Sequence, residues 1–135
     1  MIEMTLELAE RAMKAAQAKA RALGTPMTVT IVDEQGRLVL SSRGDGAGFL
    51  TPTTSLGKAV AAAAFRRSTK DIADKRAASA NFWDALPSLA PGVLPTIGGV
   101  PVTAKGRVIG AIGCGGGTGE QDHECAMEGA RTVNS

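Results

Sequence analysis

Arg43 and Asp45 flank a glycine, Lys58 follows in the next segment, and a glycine-rich run, Gly113-Cys114-Gly115-Gly116-Gly117-Thr118-Gly119, stands near the far end. A guanidinium, an ammonium and a carboxylate are suitable tools for holding a carboxylate ligand or for moving a proton. Free backbone N–H groups ahead of a helix favour a small anion, so the glycine run is a second candidate, with a plain strand-to-helix turn as the alternative. It is not a dinucleotide fingerprint, because Thr118 stands where GxGxxG needs its last glycine, and no GxxxxGK[ST] exists. Gly98-Gly99 adds a place where a ligand can approach backbone closely.

Other chemistries find less support. His123 is the single histidine. Met127 stands where HExxH needs its second His, and Asp122 and Glu124 point to different sides of a helix, so 122–124 reads as a solvated polar helix start and no metal site is expected. One histidine supports no Ser-His-Asp arrangement. Cys114 sits in an anion-friendly turn, which allows a nucleophile, but an inert buried thiol is the favoured reading.

These residues need elements to position them. Leu6, Ala9, Met13, Ala16, Ala20 and Leu23 draw one apolar helical stripe, capped by Thr5 and stopped by Gly24 and Pro26. Residues 27–33 and 37–42 form a hairpin through Glu34-Gln35-Gly36. A glycine-rich loop, 43–48, leads to an Ala-rich helix over 53–67. Ser68 to Asp71 resembles a capping box opening a third helix to about Ala80. Pro87, Pro91 and Pro95 make the following stretch irregular. Residues 98–102 and 107–114 form a second hairpin, with Pro101 suited to an edge, and Thr118-Gly119-Glu120-Gln121 caps a last helix to Arg131. The order predicts a single α+β domain, 1–135, around a mostly antiparallel sheet.

Composition narrows the partners. In 135 residues the formal net charge is +2 and aromatics are 3%, so neither a nucleic-acid surface nor a stacking platform is indicated. No apolar run approaches the roughly 18 residues of a membrane span, and Glu3 and Glu7 are wrong for a secretory signal. A cytoplasmic protein with reduced thiols is expected. A short chain with slim Ala-rich faces is expected to bury helix surface in a homo-oligomer, a dimer or higher.

Taken together the motifs resemble the GlcG/HbpS family. The resemblance rests on Ile31-Val32-Asp33-Glu34-Gln35-Gly36-Arg37-Leu38-Val39 followed by Arg43-Gly44-Asp45-Gly46-Ala47, and on Lys58-Ala59 with Thr69. It continues through Gly98-Gly99-Val100-Pro101, Gly110-Ala111-Ile112-Gly113 and Gln121-Asp122. It implies an α+β domain whose antiparallel sheet has about five strands, with packed helices. It also implies oligomers, kinship with the C-terminal domain of PduO-type proteins, and a role as a haem-binding or other small-molecule-binding protein accessory to a catabolic pathway. Here Cys114-Gly115 replaces a usual Val-Ser, Gly44 replaces a common Met, and the first helix lacks the His that one haem-binding branch uses as axial ligand.

The expectation is therefore an oligomeric binder of haem or another organic ligand; the alternative is a small cofactor-independent enzyme performing lyase- or isomerase-type proton transfer on a carboxylate metabolite. One pocket is expected where the Arg43–Asp45 loop, the Lys58 helix and the Gly113–Gly119 turn meet. Its ligand-binding residues would be Arg43, Asp45, Lys58, Gly98, Gly99, Gly115, Gly116 and Thr118. Arg43 and Lys58 would supply charge, and Asp45 would orient Arg43 or act as a base. Replacing Arg43 or Lys58 should then weaken binding while leaving the melting temperature unchanged.

Overall fold

A computed structural model describes residues 2–135. Helix α1 (Leu6–Leu23) starts where the Thr5 hydroxyl accepts the Leu8 N–H and ends at Gly24, left-handed with φ 70°. Its buried row is Ala9, Ala12, Ala16 and Ala20, while Leu6, expected in the apolar stripe, is 54% exposed. The short side chains win that face because the last helix lies directly on it: a Cβ on Gly129 would sit 2.7 Å from the Ala12 carbonyl oxygen.

Strands β1 (Thr28–Asp33) and β2 (Leu38–Arg43) form the first hairpin. Its turn is held by the Asp33 carboxylate, which accepts the N–H groups of Gln35 and Arg37. Strands β3 (Gly99–Ala104) and β4 (Arg107–Gly115) form the second. Antiparallel pairing of β1 with β4 joins the hairpins into one sheet of order β2-β1-β4-β3. The sheet has four strands, not the expected five. The two hairpins supply every strand, and the chain between them is mainly helical. Pro101 lies on β3, an edge strand.

Helix α2 (Thr51–Phe65) covers one face; α1 and α5 (Gly119–Arg131) cover the other. Alternation along β1 sorts the two sides. Val29 and Ile31 face the α1–α5 core, while Thr28, Thr30 and Val32 meet α2. α2 begins before the expected Thr53 because Pro52, with its fixed φ and missing N–H, suits a first turn. A Cβ on Gly113 would fall 2.1 Å from the Ser55 carbonyl oxygen, so the α2 backbone rests directly on β4.

The expected third helix is divided. α3 (Thr69–Asp74) stops at Lys75, a 3-10 turn spans Arg76–Ser79, and α4 (Ala80–Leu89) follows. The break returns Trp83 and Leu86 to a small cluster with Ile72 and Phe65 that a straight helix would not reach. Pro87 lies inside α4, where irregular chain was expected. The helix there forgoes the one bond that an N–H at 87 would donate to the Trp83 carbonyl, and it ends two residues later, at Leu89.

Candidate functional site

The sheet end formed by Arg43, Thr28 and Gly115 is where the predicted loops gather. Thr28 pairs with Arg43 on one side and Gly115 on the other. Two different charged constellations lie around this end.

The first is buried. Lys58, on α2, keeps 7% of its surface, and Asp122, on α5, keeps 2%. The Lys58 ammonium donates to Asp122 Oδ2 at 2.9 Å and to the Cys114 carbonyl at 3.0 Å. Asp122 Oδ1 accepts the Gly117 N–H at 3.0 Å. The pair ties α2 on one face of the sheet to α5 on the other. Burial raises the Asp122 carboxyl above its ordinary value, while the Lys58 ammonium and the Gly117 N–H pull it back down. Two of the three ammonium N–H groups of Lys58 are thus spent on linking α2 to α5 and β4. Asp122, expected in a solvated helix start and otherwise part only of the Gln121-Asp122 motif, is instead buried, because its partner Lys58 lies on another helix.

The second constellation is open. A cavity of about 620 Å3 lies between α1, the Gly24–Met27 connection and the start of the 43–48 loop. Lys14, Gln17 and Arg21 line it from α1, at the helical spacing that puts them on one side; Arg43 lines it from the end of β2, and Asp45 from the loop that follows. Met13, Ala20, Pro26 and Met27 supply apolar wall. Gln17 is fixed: its Nε2 lies 3.0 to 3.1 Å from the Met27 carbonyl, the Ser42 carbonyl and the Ser42 hydroxyl. Gly44 allows the loop to press against the wall, since a Cβ there would be 2.7 Å from the Met27 carbonyl oxygen. Neither Lys14, Gln17 nor Arg21 carried a motif; only the helical period could have pointed to them.

The expected pocket is thus divided in this structure. Arg43 and Asp45 face the open cavity, and Lys58 does not line it. Space beside the named glycines is occupied largely by protein. A Cβ on Gly99 would meet the Lys58 carbonyl at 2.2 Å, one on Gly98 the Asp122 Cβ at 2.9 Å, and one on Gly115 the Thr54 hydroxyl at 2.8 Å. Gly116 packs on Pro26 beside the cavity wall, with a Cβ position 2.5 Å from its carbonyl oxygen. Thr118 caps α5 through a reciprocal bond pair with Gln121.

The thiols are closed off. Cys114 and Cys125 are both fully buried; burial pushes the first well up and the second to about 11. His123 lines a separate hollow of about 360 Å3 with Lys19 and Arg131, and burial lowers its pKa. Among the described residues no group of three or more His, Cys, Asp or Glu side chains is arranged to hold a metal ion. No helix there is long and apolar enough to cross a membrane.

Residues 4–131 match the family described as "Haem degrading protein HbpS-like". An uncharacterized 15.0 kDa protein from the dhaT-dhaS intergenic region of Citrobacter freundii is 34% identical over 119 residues, 88% of this chain and 84% of its own length. A double mutant of Streptomyces reticuli HbpS superposes with a TM-score of 0.89 at 33% identity, covering 100% of this chain and 90% of the other. A PduOC:heme complex has a TM-score of 0.89 at 26% identity, covering 98% and 96% of the two chains.

Proposed function

The chain belongs to the HbpS-like family, and from that premise we propose that it binds a small organic anion, haem or a molecule of similar character, in the cavity beside α1. The observation that carries this reading is the cavity lining: Lys14, Arg21 and Arg43 outnumber the single carboxylate of Asp45, next to an apolar wall. Such a surface favours a ligand with an apolar body and acid groups. A relative of the same fold is a complex with haem. Haem propionates fit the three cations. Its iron finds no imidazole in this lining, so any fit is through charge and apolar contact.

Purified protein titrated with haemin should give a saturable Soret shift near equimolar ligand, and Arg43→Ala should weaken it about tenfold. A wild-type protein with no saturable shift overturns the haem reading. The binder is also proposed to be a homo-oligomer accessory to a catabolic pathway. Phe49 and Leu89 support assembly, being 89% and 85% exposed, far more than large apolar side chains usually are. Light scattering that returns the single-chain mass of 13.7 kDa at micromolar concentration would refute assembly.

A further inference from the structure

The same cavity is equipped for the acid groups of a ligand and not for a metal centre. Histidine, cysteine and tyrosine, the residues that hold haem iron in globins, P450 enzymes and catalase, are absent from its lining. The sequence has no tyrosine at all. His123 opens to the other hollow, and both thiols are sealed in the core. Gln17 cannot turn its amide to a metal freely, because its nitrogen is committed to backbone and Ser42 oxygens. Met27 is fully buried. That leaves the Met13 thioether as the one soft donor, and thioethers prefer softer ions than ferric iron.

Against this stands a well-supplied set of cations. Lys14 and Arg21 line the cavity from one side of α1 and Arg43 from the end of β2. Resting on the reading proposed above, we infer that this chain recognises its ligand by carboxylates and an apolar ring face, indifferent to whether a metal is present. The ligand class is an amphipathic organic polyacid, of which a metal-free porphyrin is as good a member as haem.

Protoporphyrin IX, followed by its fluorescence, and haemin, followed by its Soret band, separate the two accounts. The full chain should bind both with affinities within about threefold, and each should displace the other. The double variant Lys14→Glu with Arg43→Glu should weaken both by a common factor of about tenfold or more. Met13→Leu, which keeps an apolar side chain in the wall and removes only the sulfur, should leave the Soret position of bound haemin unchanged. Haemin binding more than about tenfold tighter than protoporphyrin IX, or a Soret shift in Met13→Leu, overturns the inference and leaves the haem reading standing. Binding of neither ring overturns both.

Discussion

Lys58 and Asp122 keep 9% and 3% of their side-chain surface, whereas Arg43 and Asp45, close to the same end of the sheet, stand exposed beside an open cavity. Both constellations pair opposite charges near glycine turns, and their types alone do not separate them. Burial does. Ions removed from water require compensation, and Lys58 and Asp122 obtain it from one another, with the Cys114 carbonyl accepting a second ammonium N–H and the Gly117 N–H donating to the other carboxylate oxygen. A ligand reaching Lys58 would have to displace Asp122. On the cavity rim Arg43 is held only by a long 3.5 Å bond from its Nη1 to the Ala47 carbonyl, and such an exposed charge can turn to an incoming anion.

The contrast is most sharply tested by Lys58→Ala. A surface lysine would leave the melting temperature nearly unchanged; removing this one leaves Asp122 buried and unpaired and should lower stability by about 3–5 kcal/mol in urea denaturation. Replacing both partners by apolar residues of similar volume, Lys58→Met with Asp122→Leu, should recover most of that loss. Full stability in Lys58→Ala would return Lys58 to the pool of ligand-binding candidates. Gly113→Ala comes next. Its methyl must push the Ser55 backbone away from β4, which should cost about 1–3 kcal/mol and leave haemin affinity unaltered. Arg43→Ala is the converse case, changing stability by no more than about 0.5 kcal/mol while ligand affinity falls. A large thermal destabilisation there would erase the distinction between framework and rim.

The smallest effect belongs to the first hairpin turn. Burial raises the Asp33 carboxyl, but the N–H groups of Arg37 and Gln35 and then the Arg37 guanidinium outweigh it and hold it below its ordinary 3.8. Its contribution is therefore complete above that value and disappears as pH falls through the lower folded-state value. Asp33→Asn should remove this part of the acid sensitivity, visible as a flatter stability profile below about pH 4.

Local signals account for most of the architecture. Thr5, Gly24, Gly36 and the Thr118–Gln121 capping box each act within a few residues, and each stands where its spacing places it. Pro101 on an edge strand follows from its missing N–H. The candidate site was less legible because its determinants are long-range. Gly98, Gly99 and Gly115 have the residue type needed for close ligand approach, yet α2 and α5 side chains and backbone fill that space. Asp122 looks like any acidic residue in a first helical turn until α2 brings Lys58 against it. Lys14, Gln17 and Arg21 look like the solvent side of an amphipathic helix until the 43–48 loop stands opposite.

The pairing of β1 with β4 bears on how the chain is made. The first hairpin closes locally, but Thr28 must wait for Gly115 before the sheet has its centre, and α1 waits longer still for α5. On the ribosome the early half therefore emerges with one side of β1 unpaired and an alanine face uncovered. Contacts so distant in sequence slow folding and prolong the exposure of sticky edges. A stall in translation before β4 is made should therefore be hazardous to this domain, because it leaves the β1 edge open for as long as the arrest lasts.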